Sequence, residues 1–389
     1  MPSSLTAVAD HTGPQCSVGS PTVTTPVLTR RALNRALLAR QFLLERVPLS
    51  PLEAVTHLVG MQAQAPNPPY VGLWSRLAGF AFADLAELLS SRRVVRLALM
   101  RSTIHLVASV DAEPLRAVLG PVFERGFRST VGRAFDDVDH EQVAAMGAEI
   151  VAGEPLTAAE LGRRLAVRWP GHEPDRLAAL VRTRVGLVQV PPRGLWGSSG
   201  QARHTTLGAW LGEGAVSPLS PDVLVRRYLA AFGPASPADA QAWSGLTGLR
   251  EVFERQPDLL VFHDESGRVL YDLPEAPRPP QDTPAPVRLV AAFDNLVLSH
   301  ADRTRVIDDE HRKPVIMGTG NGNVRPTVLV DGRVVGMWGT RRVKRTAVVE
   351  VTQFGKLTAR TKREVEAEAR RLLAVTDPDA DTTEVHYLP

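Results

Sequence analysis

The sequence predicts an α+β fold, in which sets of short helices are each followed by a small β-hairpin and the C-terminal part is rich in strands. Three observations carry this prediction. Apolar residues recur at helical spacing in short segments that begin at capping residues. Each set of helices is followed by alternating, strand-like segments. This order occurs three times before a proline-rich segment, which indicates a repeated unit.

The first unit covers residues 27–110 and contains four predicted helices. The first helix, 28–46, has Thr29 as its cap and ends before Pro48; the second opens at Ser50-Pro51. Two more helices are predicted at 70–77 and 82–91, and residues 94–107 read as two strands with a close return. Three or more helices followed by a hairpin is the order of a winged helix. The sequence therefore predicts winged helix 1 here.

Two further winged helices and a strand-rich region follow. Winged helix 2 is predicted at 111–215, with a helix at 111–127, a capping box at Thr157 and Glu160, a strand at 185–190 and a wing-like loop at 191–200. Winged helix 3, at 216–275, ends in a hairpin formed by 259–263 and 269–272. A proline-rich linker is predicted at 276–286. Region 287–389 is predicted to contain strands at 287–298, 325–330, 333–338 and 343–354, a hairpin turn at Asp331-Gly332, and a closing helix at 361–374.

Composition limits the possible classes of protein. A chain of 389 residues is expected to form about two to four domains. No window has the ~18 uncharged apolar residues of a membrane helix, and residues 1–26 are predicted to be a disordered tail without the basic start of a secretory signal. The single cysteine, Cys16, excludes an internal disulfide, a cysteine-based zinc site and an iron–sulfur cluster. Scattered histidines offer no metal-binding spacing, so no metal is predicted, and a cytoplasmic protein fits best.

The charge pattern suggests one basic face. Net charge is only +3, but the sequence pI is about 9.3 and the cations are mostly clustered arginines. Arginine suits phosphate because its planar fork donates two hydrogen bonds to one anion. The candidates for DNA binding are Arg101, Arg341, Arg342, Lys344 and Arg345. The alternative for the 341–345 run is a solvated basic edge, and arginine-rich surfaces also arise in high-GC genomes.

Gln62 and Gln64 form the most informative short motif. They follow an apolar helical run and precede Pro66, Pro68 and Pro69, which disfavour helix in the residues before them. On an extended chain two residues spaced by two share one face. Both side chains could then converge on one water molecule or one phosphate. The alternative is two surface glutamines at the end of a helix.

Three segments together resemble one family. They are Gln62-Ala63-Gln64, the segment 100–107 (MRSTIHLV) and the segment 293–303 (FDNLVLSHADR). They resemble the bacterial winged-helix DNA glycosylases that unhook crosslinks and excise bulky alkylated bases, and the likeness extends over about residues 28–375. The Gln-x-Gln form is similar to the branch of azinomycin-resistance glycosylases. The resemblance implies tandem winged helices, a β-rich C-terminal part, and Gln62 and Gln64 as the catalytic motif.

Glutamine chemistry fits a particular leaving group. Most glycosidases use two carboxylates, one to protonate the leaving group and one to activate water. Guanine alkylated at N7 is already cationic and leaves as a neutral base, so it needs no acid. What remains is to position the water on the sugar, which side-chain carbonyls can do while their dipoles stabilise the developing cation. No lysine adjoins the motifs, so an abasic product without strand cleavage is expected, with no cofactor.

Three further residues are candidates for the lesion cleft. His105, Asp294 and Asn295 lie in the segments that carry the resemblance. The alternatives are a buried, satisfied histidine and an Asp–Arg network with turn chemistry. Trp196 and Trp338 lie near predicted hairpin tips, where a tryptophan either stacks on an exposed base or anchors the loop.

The sequence therefore predicts a monofunctional DNA glycosylase for bulky or crosslinked N7-alkylguanine, in DNA repair or in self-resistance to a genotoxic natural product. Its partner is double-stranded DNA carrying such guanines, and a monomer in the cytoplasm, on the nucleoid, is expected. One alternative is a non-enzymatic winged-helix regulator, which usually acts as a two-fold dimer. A protein-interaction scaffold is the other.

Overall fold

The computed structural model describes residues 25–388, except 132–134, 136, 213–217 and 318–322. The predicted tail, apart from its last two residues, and the glycine-rich loop after Met317 therefore lie outside the described residues. In the described part of the chain no helix is long and apolar enough to cross a membrane. The same residues contain no cluster of three His, Cys, Asp or Glu side chains suited to a metal ion.

The first set of elements begins with capped helices. In order, they are β1 (Val27–Leu28), α1 (Arg30–Arg40), α2 (Pro51–His57), β2 (Met61–Gln62), α3 (Pro68–Trp74), α4 (Phe82–Ser90), β3 (Val94–Ala98) and β4 (Ile104–Ala108). Thr29 caps α1 as predicted, and Ser50 forms a capping box with Glu53 at α2. The helix α1 ends at Arg40, earlier than predicted, because Phe42 turns the chain with φ 56°.

The second set contains one more helix break than predicted. Its elements are α5 (Ser109–Val118), α6 (Gly120–Val131), α7 (His140–Gly153), β5 (Leu156–Thr157), α8 (Ala158–Ala166), α9 (Pro174–Arg184), β6 (Leu187–Gln189), β7 (Arg203–Thr206) and α10 (Leu207–Leu211). The single helix predicted at 111–127 is wrong: it is two helices, because Pro121 lacks the N–H that would continue the hydrogen bonds of α5. The capping box at Thr157 is present.

One six-stranded sheet joins these two sets. Its strand order is β2-β4-β3-β6-β7-β5, so strands from the predicted winged helices 1 and 2 lie side by side. The contact is made where β3 pairs antiparallel with β6, with Leu97 opposite Val188. Part of the second set also has its own hydrophobic core, built around residues such as Phe135, Leu165 and Leu177. The sheet places β2 at its edge, next to β4.

The third set and the C-terminal region pack on the main core. Their elements are α11 (Pro221–Phe232), α12 (Pro237–Ser244), α13 (Leu249–Glu254), β8 (Leu260–Asp264), β9 (Val269–Asp272), β10 (Arg288–Val290), α14 (Asp309–Val315), β11 (Ile316–Met317), β12 (Asn323–Val324), β13 (Thr327–Val330), β14 (Arg333–Val343), β15 (Thr346–Gln353), α15 (Ala359–Thr376) and β16 (Thr382–Leu388). The predicted β8–β9 and β13–β14 hairpins are confirmed.

Two predictions in the C-terminal region are wrong. The strand predicted at 287–298 ends at Val290, since Phe293 has φ 59° and Asp294 caps a short 3₁₀ turn at Asn295–Val297. The helix α15 does not close the fold, because β16 follows it and pairs parallel with β15 at the edge of the sheet β10-β13-β14-β15-β16. A helical crossover between parallel strands is the usual way to make this connection. The predicted α+β class is confirmed.

Candidate active site

The stretch that carries the two glutamines is short and tightly held. Gly60 has φ +90°, and a Cβ there would lie 2.5 Å from Val107 Cγ1 of β4, so only glycine fits the approach to β2. In β2, Gln62 lies opposite His105 of β4, and the Ala63 amide donates to the Ile104 carbonyl oxygen at 2.7 Å. The extended conformation predicted for this stretch is therefore observed at Met61–Gln62. It is wrong after Pro66, where Asn67 is in the right-handed helical region and Pro68 begins α3, because proline is well suited to the first turn of a helix.

Both glutamine side chains are oriented toward one turn of the chain. Gln62 is buried, and its Oε1 accepts a hydrogen bond from Arg101 Nη2 at 2.7 Å. Gln64 is exposed, and its Oε1 accepts from the Ile104 amide at 3.1 Å. A guanidinium and a backbone amide can only donate, so these two bonds determine which end of each side-chain amide faces the turn. Each carbonyl oxygen keeps a second lone pair for another donor.

Arg101 lies in that turn, between β3 and β4. Arg101 and Ser102 have φ of 55° and 59°, a left-handed conformation that costs non-glycine residues about 1–3 kcal/mol each and is common at functional sites. Arg101 also donates to the Trp243 carbonyl oxygen. Burial lowers the pKa of its guanidinium to about 10, which leaves it charged at neutral pH. The residue predicted to bind DNA therefore contacts a predicted catalytic side chain directly.

His105 is fully buried behind Gln62. Its Nδ1 donates to the Thr103 carbonyl oxygen at 3.0 Å, since a carbonyl can only accept, and Nε2 has no partner among the described residues. Burial, and then the charge of Arg101, lowers the pKa of His105 to about 3. The imidazole is therefore neutral at physiological pH.

Asp294 and Asn295 share a small cleft with Gln62. The cleft is lined also by Met61, Pro69 and Phe293, among others. Both Asp294 oxygens accept from Arg76, each at 2.8 Å, and Oδ1 also caps the Leu296 amide at 2.9 Å. Asn295 donates from Nδ2 to the Gly60 carbonyl oxygen at 3.1 Å. The structure thus brings Asn295 to the residue before β2 and Asp294 into the same cleft, whereas Gln64 and His105 do not line the cleft.

Two arginines that were not among the predicted site residues contact the Gln62 region. Arg76 pairs with Asp294, and Arg96 Nη2 donates to the carbonyl oxygen of Ala63, between the two glutamines, at 2.7 Å. Arg96 is almost fully buried, and burial lowers its pKa to about 10. Both arginines interrupt apolar runs of the sequence. A charge inside an apolar run is a usable signal, because a buried arginine almost always has a specific partner.

The predicted phosphate-binding run lies elsewhere, at the turn between β14 and β15. Arg341 pairs with Glu350, Arg342 with Asp377 and Asp379, and Arg345 with Asp381. Hydrogen bonds to these aspartates raise the pKa of Arg342 and Arg345.

These pairs offset the positive charge of three of the four cations. Lys344 has φ 54° at the tip of the turn. None of the four residues lines the cleft at Gln62.

Two tryptophans considered for base stacking are held by the protein. Trp196 packs against Phe82, with ring centroids 4.3 Å apart, and its backbone amide donates to the Tyr70 hydroxyl at 3.1 Å. Trp338 donates from Nε1 to the Val290 carbonyl oxygen at 2.9 Å. Both arrangements favour the anchoring alternative.

Comparisons with known proteins agree on one family. The family model described as DNA glycosylase AlkZ-like matches residues 55–375. A curated relative, the interstrand DNA cross-link repair glycosylase of Streptomyces sahachiroi, is 28% identical over 326 residues, covering 77% of this chain and 84% of the relative. The solved structure of the Streptomyces sahachiroi DNA glycosylase AlkZ matches with a TM-score of 0.76 and 24% identity, covering 93% of this chain and 100% of that one. The resemblance predicted from the sequence is confirmed, and the non-enzymatic alternatives are set aside. The chain belongs to the AlkZ-like family of DNA glycosylases and is an enzyme.

Proposed function

We propose that this chain is a monofunctional DNA glycosylase that hydrolyses the N-glycosidic bond of bulky or crosslinked N7-alkylguanine, in DNA repair or in self-resistance to a genotoxic natural product. The name of the Streptomyces sahachiroi relative supports crosslinked DNA as the substrate class. Duplex DNA is the partner, and the chain acts as a monomer on the nucleoid in the cytoplasm. The observation that carries the proposal is the orientation of Gln62 and Gln64 toward a single turn.

The two amides hold the attacking water. Arg101 and the Ile104 amide each occupy one lone pair of a glutamine carbonyl, which leaves the second lone pair of each to accept an O–H of water. Holding the water at the sugar lowers the entropic part of the barrier, and the carbonyl dipoles favour the developing sugar cation. Arg101 is then a positioning residue, because it acts on the reaction through Gln62.

The remaining side chains fit a leaving group that needs no acid. His105 is neutral because burial and Arg101 lower its pKa to about 3, and its Nδ1–H is already bonded to Thr103. Asp294 uses both oxygens to accept from Arg76. No lysine is among the described residues that line the cleft, which fits simple hydrolysis to an abasic site rather than an imine intermediate.

A single-turnover assay on duplexes containing N7-methylguanine, a nitrogen-mustard crosslink or uracil tests this function. We expect release of the N7-alkylated bases, an alkali-labile abasic product without direct strand cleavage, and little release of uracil. Gln62→Ala and Gln64→Ala should each slow base release on the order of 100-fold, the cost of misplacing a reacting group by about 1 Å.

Gln241→Ala is the matched control. The carbonyl oxygen of Gln241 also accepts from a backbone amide at 3.1 Å, that of Leu249, but Gln241 does not line the cleft. Base release by this variant should match that of the wild type. Equal rates for all three alanine variants, or uracil release as fast as N7-methylguanine release, would overturn the proposed function.

A further inference from the structure

A basic groove adjoins the turn that contacts the two glutamines. It has a volume of about 550 Å³ and runs between α6, α9 and the turn at 99–103. Its cations are Arg101, Arg125 and Arg182, with Ser129 and Thr183 as hydroxyl groups. We call this feature the arginine groove. Its volume lies within the range of ligand-binding sites.

The described lining of the arginine groove is basic. None of the described residues that line it is aspartate or glutamate. Arg125 and Arg182 are exposed and form no ion pair with a described carboxylate; Arg125 donates to the Gly245 carbonyl oxygen, and Arg182 donates to that of Ser102 at 3.4 Å. Each guanidinium has five N–H donors, so most of them point to other acceptors or to solvent.

The charges of Arg182 and Arg101 also act on two histidines. The pKa of His204 is lowered to about 4, by burial first and then by the charge of Arg182, with smaller contributions from Arg193 and Arg96. The pKa of His105 is lowered by burial first and then by the charge of Arg101. A positive potential that reaches neighbouring side chains also attracts polyanions from solution. The 341–345 run differs, because aspartates and a glutamate offset three of its cations.

The floor of the arginine groove is connected to the active site. Arg101 lines the groove and also donates to Gln62 at 2.7 Å. Gly245, with φ +85°, follows α12 and packs against this turn; a Cβ there would lie 3.3 Å from Arg101 Cα. The groove is therefore held at a fixed position relative to Gln62. A strand bound along it would pass next to the residues that act on the sugar.

We propose that the arginine groove binds the phosphodiester backbone of the DNA strand that carries the lesion, with Arg125 and Arg182 as the phosphate-binding side chains. This proposal rests on the glycosylase function proposed above. It adds where on the protein the DNA strand that carries the lesion lies. Arginine and hydroxyl groups are the usual contacts to DNA phosphates, and they position the duplex without reading its sequence. A DNA strand explains the location beside Gln62, which an acidic protein segment would not.

The test measures affinity for an undamaged duplex as a function of salt concentration. Each phosphate contact contributes about −0.9 to the slope of log K against log salt. The double variant Arg125→Gln/Arg182→Gln should therefore reduce the magnitude of the slope by about 2 and weaken binding at 0.1 M salt by about tenfold or more. Arg125→Lys/Arg182→Lys keeps both charges and should keep the slope.

The matched control is Arg363→Gln/Arg370→Gln, which removes two exposed cations on α15, far in sequence from every described residue that lines the groove. Its slope should change by less than about 1. An unchanged slope in the folded glutamine variant, or a slope change equal to that of the control, would overturn the proposal. Binding to undamaged DNA involves no bond cleavage, so this test is separate from the base-release assay. If the wild-type protein releases no base, the proposed function is overturned, but the proposed role of the groove in DNA binding is not.

Discussion

Replacing Arg101 with methionine removes a charged side-chain donor to the Gln62 carbonyl oxygen. The bond is 2.7 Å long, and Gln62 is buried, so no solvent donor replaces it easily. A hydrogen bond to a charged group contributes about 1.5–3 kcal/mol. If this energy orients Gln62 in the transition state, its loss slows base release by about 10- to 150-fold, since about 1.4 kcal/mol is a factor of ten in rate.

The assay is single-turnover release of N7-methylguanine at saturating enzyme, so that a change in DNA affinity does not enter the measured rate. Arg101→Lys should recover part of the rate, because an ammonium keeps a charged donor but not the planar fork. Arg116→Met is the control: Arg116 also has a pKa lowered to about 10 by burial, and it donates to the Arg182 carbonyl oxygen at 3.1 Å rather than to a glutamine.

Arg116→Met should lower the thermal midpoint yet keep the rate within about threefold, or ~0.6 kcal/mol, of the wild type. A folded Arg101→Met variant with a rate within the same factor would show that Gln62 is oriented without Arg101. Equal slowing by both variants would assign the effect to general loss of structure. Only a selective effect of Arg101 supports a positioning role.

Three stability predictions follow from the same site. Asp294→Asn leaves the Arg76 charge buried without its partner and should cost about 3–5 kcal/mol in urea unfolding; a loss below about 1 kcal/mol would contradict the pair's importance. The folded pKa of His105, about 3, lies below its usual 6.5, so the unfolded state binds the extra proton and stability falls as pH drops below 6.5. The loss from this residue is about 2 kcal/mol by about pH 5, and a His105→Gln variant should lack it; identical pH dependence would refute the assignment. Gly60→Ala should cost about 2–5 kcal/mol, because φ is +90° and a Cβ would lie 2.5 Å from a valine methyl. Gly79→Ala, at φ +71° with open space, should cost only the backbone part, and an equal loss at both positions would contradict the steric argument.

Local signals in the sequence predicted many of the elements. The helix start at Ser50-Pro51, the capping box at Thr157 and the Asp331-Gly332 turn depend on residues within four positions of one another, so one chain is enough to recognise them. The extended conformation at Gln62 was also predicted, and the structure shows that pairing of β2 with β4 holds it.

Long-range pairing explains what the sequence did not show. The Asp294–Arg76 pair joins residues 218 positions apart, and no local pattern predicts such a partner. The same holds for the sheet that joins β3 to β6, and for β16, whose exposed edge position gives a weak hydrophobic alternation. Arg101 was predicted to bind DNA because arginine suits phosphate. Its bond to Gln62 depends on a left-handed turn at Arg101 and Ser102. Glycine usually marks such a turn in a sequence, and this segment contains none.

The hydrogen bonds around the cleft also constrain how the rate depends on pH. Asp294 accepts with both oxygens, and His105 stays neutral down to a pKa of about 3, where burial and Arg101 place it. Arg101 stays charged up to a pKa of about 10. Neither His105 nor Arg101 therefore changes its charge near neutrality, and glutamine does not titrate. We expect single-turnover release of N7-methylguanine to be nearly independent of pH between about 6 and 8, whereas general acid–base catalysis gives a bell-shaped profile. A steep slope or a bell in this range, in a folded enzyme, would show that an ionisable group takes part in the chemical step and that the two amides are not sufficient.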